Sequence, residues 1–211
     1  MEKNWTDTPL YVISDWLMRL AYINLLWILF TFLGGIVLGF MPATVAMFTI
    51  IRKLIVKDDQ VPIFKTFTRV FKSEFLKSNI LGVILGGTGY ILYIDFLYLG
   101  SIEGYLHSFL SVALVLIAVC YVATVFIILP IYVQYDLKFS HYFKHAFYIA
   151  LINPHIIIFM AVGVSAIYYV FNFLPGLTMF YFGSGFATLS LWCSLLAINR
   201  IERKKESLET A

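Results

Sequence analysis

Five stretches of this chain are about as long as a bilayer's hydrocarbon core is thick when wound as helices, and they carry almost no charge. They run over residues 20–40, 79–99, 109–133, 149–171 and 177–199. A helical crossing needs about 20 apolar residues, because each residue rises 1.5 Å and the core is about 30 Å deep. Only 13% of the 211 residues are Asp, Glu, Lys or Arg, against 61% hydrophobic. So few charges cannot cover the surface of a water-soluble protein of this size, so lipid is the expected solvent. The expected fold is an all-α integral membrane protein: one membrane domain over residues 1–211, with a five-helix transmembrane bundle and amphipathic helices outside it. A count of four or six competes, because the segment after Pro42 is apolar enough to be half-inserted.

Charge placement tests the count independently. Arg52, Lys53, Lys57, Lys65, Arg69, Lys72 and Lys77 lie between the first two runs, Lys138 and Lys144 between the third and fourth, and Arg200, Arg203, Lys204 and Lys205 after the fifth. These are 13 of the 15 basic residues, and the connections at 100–108 and 172–176 have none. Lys and Arg stay on the cytoplasmic side of membrane proteins. An odd number of crossings satisfies that rule, with the N-terminus outside and the C-terminus inside. The first nineteen residues mix acids with aromatics and lack a basic start followed by a short apolar core, so the first run is expected to be a retained span. Thr8 and Pro9 read as a helix start, and Trp5, Tyr11 and Trp16 suit the outer interface. Cys120 and Cys193 sit in apolar runs and suggest packing, with no disulfide framework.

The stretch 41–78 is the largest polar element and the expected cytoplasmic loop. Met47, Ile50, Ile51, Leu54 and Ile55 have helical spacing, with Arg52 and Lys53 at the end. After a turn-like KDDQVP, residues Phe64, Phe67, Phe71 and Phe75 recur every three or four residues, with Lys65, Arg69, Lys72 and Lys77 on other faces. This is a basic amphipathic helix. It fits either anionic headgroups or a partner, and in the second case Arg52, Lys53, Phe64, Phe67, Arg69, Phe71 and Lys72 form the docking surface. Nucleic acid is not an expected partner. The second loop, 134–148, reads as a helix entering the fourth run, with Asn153-Pro154 as an interruption.

Few residues within the runs invite chemistry. Asp95 is the one acid well inside a run, near its outer end, and Arg19 begins the first run at the same level. An Asp95–Arg19 ion pair, an interfacial acid reaching water, or a solute site are the three readings, and Asp15 competes for Arg19 one turn away. His141 and His145 lie one turn apart without the HExxH pattern of zinc proteases, which favours interfacial histidines over a metal. Tyrosines such as Tyr90, Tyr93, Tyr98, Tyr168 and Tyr169 form an outer belt or, less simply, a sugar platform. Small residues mark close helix approaches: Gly35 and Gly39, Gly82 and Gly86, then Gly183, Ala187, Ser190 and Ser194 on one face of the fifth run. Those faces pack inside the bundle or against a partner's helices. No phosphate loop, nucleophile elbow or cofactor motif is present in the sequence, and no catalytic, cofactor or metal residue is expected.

Gly39-Phe-Met-Pro42-Ala43-Thr44, followed by Phe48 and Arg52-Lys53-Leu54, resembles the signature of the YesL family of bacterial membrane proteins. The aromatic and basic stretch from Phe64 to Phe75 and the later Pro130…Tyr135-Asp136…Lys144-His-Ala146-Phe147 are similar to that family too, so the resemblance covers about residues 10 to 200. The resemblance implies a multi-span protein of the bacterial cell membrane, of a kind encoded beside carbohydrate importers and plant-polysaccharide enzymes. It implies a non-enzymatic accessory subunit of a carbohydrate ABC importer, with permease subunits and membrane lipids as partners. An independent carrier or channel for a small solute is the alternative. The layout also resembles the core of type I importer permeases, but the loop between the third and fourth runs lacks their Glu-Ala-Ala…Gly pattern.

Overall fold

The structure, a computed structural model, describes residues 9–56, 61–101 and 103–209. The expected cap at Thr8, the aromatic Trp5 and the turn over 57–60 lie outside the described residues. Among those described, eight helices follow one another and there is no strand: α1 Pro9–Leu33, α2 Val37–Ile55, α3 Ile63–Ser73, α4 Phe75–Leu99, α5 Tyr105–Gln134, α6 Phe139–Ile152, α7 Pro154–Phe173 and α8 Pro175–Glu209. Six of them (α1, α2, α4, α5, α7 and α8) are long and apolar enough to cross a membrane.

The expected first span therefore needs correction. Residues 20–40 are not one helix. The chain turns back at Gly34–Ile36, and α2 packs along α1. The turn is a Schellman end: Ile36 N–H donates to Thr31 O at 2.9 Å and Gly35 N–H to Phe32 O at 3.1 Å, with Gly35 at φ +82°. A γ-turn follows, in which Val37 N–H reaches Gly35 O at 2.8 Å across Ile36, held at φ 58° and ψ −72°. That conformation is strained for a β-branched residue. Gly39 makes the reversal possible, because a Cβ there would run into the Thr31 carbonyl.

The expected loop 41–78 is corrected with it, since its first half is the most interior helix of the protein. Most of α2 is buried, whereas α4 and α7 bury only a small part of their length. Ala43, Ala46, Met47, Ile50 and Ile51 form the main core with Ile23, Leu26 and Phe30 of α1, Phe67 of α3 and Leu191 of α8. A second cluster joins Leu81 of α4, Ile127, Ile128 and Ile131 of α5, and Tyr142 and Ala146 of α6. The break at Asn153-Pro154 falls where expected, and Pro154 opens α7.

Two prolines lie inside helices, and each leaves a carbonyl four residues earlier without its helical donor. In lipid no water replaces the missing donor. Pro42 frees Leu38 O, which accepts Nδ2 of Asn79 on α4 at 2.9 Å. Pro130 frees Phe126 O, which accepts Oγ of Ser190 on α8 at 2.8 Å. Both side chains thereby fasten one helix to another. A third polar fastening joins α1 to α8: Nδ2 of Asn24 donates to Met179 O at 2.8 Å, and its Oδ1 accepts Ser184 N–H at 3.0 Å.

Candidate functional site

The helices collect the cationic segments at one end. Tyr132, in the last turn of α5, donates its hydroxyl to Glu74 at the head of α4 at 2.6 Å. Arg52 at the end of α2 bonds the Gln134 side chain at the end of α5. Arg200 on α8 and His155 at the head of α7 lie 2.7 Å apart, with the guanidinium donating to the imidazole. The ends of α2 and α5 thus meet the head of α4, and α8 meets the head of α7. A cavity of about 540 Å³ with a mixed lining opens here, with Glu74, Lys77, Tyr132, Gln134, Asp136 and Tyr142 among its walls.

The basic amphipathic helix is α3, and its phenylalanines are already in use. Phe30 of α1 sits 4.9 Å from Phe67, 5.1 Å from Phe71 and 6.3 Å from Phe64, ring centroid to centroid. Phe67 is fully buried, Phe71 partly, and Phe64 is half-exposed. Of the expected docking surface, the cations of α3 remain outward: Lys65, Arg69 and Lys72 are exposed. Arg52 and Lys53 are part-buried.

Deeper in the bundle an apolar chamber of about 800 Å³ lies between α4 and the α1–α2–α8 group. Trp27, Phe40, Met41 and Phe186 form one side, and Gly82 and Gly86 of α4 part of the other. The polar rim is small. Trp27 Nε1 donates to Thr44 Oγ at 3.0 Å, Thr44 donates to Phe40 O at 2.7 Å, and Asn79 is spent on Leu38 and Phe75 carbonyls. Several lining side chains are also open to the outside of the bundle, Val37 at 78% and Val83 at 73% exposure, so the chamber opens sideways. Residues of the family-like element Gly39 to Thr44 converge here. Gly39 permits the turn, Pro42 leaves the Leu38 carbonyl free for Asn79, and Thr44 holds Trp27.

The other small residues have distinct places. A Cβ on Gly82 would strike the Met41 side chain, and one on Gly183 would meet Asn24 Oδ1 at 2.9 Å and the Trp27 ring at 3.1 Å. One on Gly86 meets nothing within 4 Å. Ala187, Ser190 and Ser194 are buried inside the bundle, and Ser194 Oγ lacks a hydrogen-bond partner there. Arg19 pairs with Asp15 at 2.8 Å, while Asp95 is exposed on α4, which packs on α2, α3 and α5. The structure does not place Asp95 in the chamber. His141 and His145 are exposed with rings 6.4 Å apart, and no group of three metal-binding side chains occurs among the described residues. Sequence reasoning missed Asn24, Trp27, Asn79 and Tyr132; the helix-internal prolines were the available signal for Asn79.

Described residues that are all-helical or connecting, with six helices long and apolar enough to cross a membrane and a few fastening polar side chains, define a multi-pass membrane protein. Residues 20–96 match the family described as "Protein of unknown function, DUF624". Three proteins of Bacillus subtilis (strain 168), each described as uncharacterized, are similar: YteU, 36% identical over 79% of this chain and 75% of its own; YesV, 30% over 96% and 97%; and YesL, 31% over 93% and 92%. The chain belongs to this DUF624 family of YesL-like proteins, and at 31% identity it is a relative of that YesL rather than the same protein. No solved structure matches it. The match over 20–96 takes in the second half of α1, all of α2 and α3 and most of α4, which build the elbow and most of the chamber wall.

Proposed function

We propose that the protein is a non-enzymatic accessory subunit of a carbohydrate ABC importer in a bacterial cell membrane, docking on the permease subunits through its basic end. The observation that carries this reading is the division of α3. Its phenylalanines anchor it to Phe30, and this anchoring presents Lys65, Arg69 and Lys72 on a rigid outward face. A cationic face on a fixed frame suits an acidic protein surface, and the resemblance to proteins encoded beside carbohydrate importers supplies the kind of partner. Affinity purification from native membranes is expected to recover permease subunits and to lose them when Lys65, Arg69 and Lys72 are replaced by Glu. Recovery of lipid alone would refute the reading.

The proposed arrangement has five full crossings (α1, α4, α5, α7, α8), with the N-terminus outside and the basic end inside. In it α2 is half-inserted. Its first turn is tied to Asn79, one turn into α4, and its last to Gln134, the final residue of α5. Both ties lie toward the basic end, so the number of complete crossings stays odd and the cations stay on one side.

A second reading, an independent small-solute carrier, draws on the chamber. Its apolar lining suits an apolar solute better than a sugar, which needs hydrogen-bonding walls. Uptake by reconstituted vesicles that is abolished by Gly86→Leu would favour this reading over the first.

A further inference from the structure

We infer that the lateral chamber is a binding site for one acyl chain of an anionic phospholipid from the leaflet at the basic end. The depth fits. From Asn79 at its rim to Gly87 on its wall, α4 advances eight residues, about 12 Å at 1.5 Å per residue. A single leaflet's hydrocarbon layer is about 15 Å, half of the bilayer core. The lining fits too. Gly86 and Gly87 leave a smooth trough in which a Cβ would meet no atom within 4 Å, facing the rings of Trp27 and Phe186. The hydrogen-bond donors at the rim, Asn79 Nδ2, Thr44 Oγ and Trp27 Nε1, already bond one another or the backbone, so none of them is left over for the occupant. A tail without polar groups meets these conditions.

Charge complementarity selects the headgroup. The rim lies at the basic end: Lys77 is two residues from Asn79 and exposed, and Lys72 is exposed at the end of α3. Residues 41–78 carry seven Lys and Arg against three Asp and Glu (Asp58, Asp59 and Glu74). A headgroup at this level sits in a positive field, which favours phosphatidylglycerol over phosphatidylcholine. This inference is independent of the importer reading, since lipid retention does not require a permease.

The test uses the full chain with Trp27 as its sole tryptophan (Trp5, Trp16 and Trp192 replaced by Phe), reconstituted in vesicles of phosphatidylglycerol or of phosphatidylcholine with brominated acyl chains. Bromine quenches an indole that it touches. Trp27 emission is expected to fall strongly in brominated phosphatidylglycerol and less than half as much in brominated phosphatidylcholine. Gly86→Leu, which fills the trough, should restore emission; Gly87→Leu serves if the first variant does not purify as a folded protein. Lys72→Gln with Lys77→Gln should remove the preference between the two lipids. Absent quenching in both lipids, as when a protein segment fills the chamber, overturns the inference. So does quenching that survives the filled trough, or quenching equal in the two lipids.

Discussion

Replacing Ser190 by Ala removes the hydroxyl that donates to the Phe126 carbonyl, whose helical donor Pro130 has deleted. Ser190 is 1% exposed, so neither lipid nor water substitutes. An unsatisfied buried carbonyl costs about 1–3 kcal/mol, while interhelical bonds in membrane proteins measured by double-mutant cycles contribute about 0.6 and at most about 1.7 kcal/mol. The expected loss is therefore about 1–1.5 kcal/mol. Pro130→Ala supplies the discriminating half of a cycle, because alanine, unlike proline, offers an N–H to Phe126 O. In the Pro130→Ala background, Ser190→Ala should cost less than about 0.5 kcal/mol, leaving a coupling near 1 kcal/mol. Reversible unfolding in mixed micelles, followed by tryptophan emission, measures all four proteins. Equal cost of Ser190→Ala in the native and the Pro130→Ala backgrounds would refute the reasoning, since the hydroxyl would then be acting through packing alone.

Three further outcomes are expected from the same assay. Asn24→Leu removes the side-chain bonds to the Met179 carbonyl and the Ser184 N–H that tie α1 to α8 and should cost about 1–2 kcal/mol. Gly183→Ala should destabilise by at least about 1 kcal/mol against the Asn24 and Trp27 contacts, while Gly86→Ala, which meets open space, should be neutral or stabilise by up to about 1 kcal/mol through helix propensity; similar effects from the two would contradict the packing described. Phe67→Ala, removing a fully buried ring between α1 and α3, should cost about 3–5 kcal/mol, and Lys72→Ala on the exposed face less than about 0.5.

The membrane character, the helical class and the clustering of cations could be read from the sequence because apolar length and charge placement are one-dimensional properties. Asn153-Pro154 could be read as well, since proline restricts the residue before it. The reversal at Gly34–Ile36 could not be read the same way. Residues 20–40 form an unbroken apolar run, and the glycines that mark the turn, Gly35 and Gly39, also fit a helix-packing pattern. Hydropathy does not separate one helix from two helices folded onto each other. The phenylalanine spacing of α3 identified the apolar face, but periodicity says nothing about what covers that face, and Phe30 of α1 covers it. Likewise Pro42 and Pro130 announce freed carbonyls, while Asn79 and Ser190 are found as their partners only in three dimensions. Asp95, conspicuous as an acid in an apolar run, lies exposed near the end of α4, and in three dimensions it is Asp15 that pairs with Arg19.

The most direct test of the account is the side of the membrane on which the α1–α2 elbow lies. In a chain with Cys120 and Cys193 replaced by Ser, single cysteines at Leu33, Lys72, Glu103 and Arg203 can be labelled with a membrane-impermeant thiol reagent in intact cells and in inverted vesicles. The account predicts that positions 33, 72 and 203 label only in inverted vesicles, with position 103 labelling in intact cells. Labelling of position 33 together with position 103 in intact cells would make α2 a sixth full crossing and contradict it.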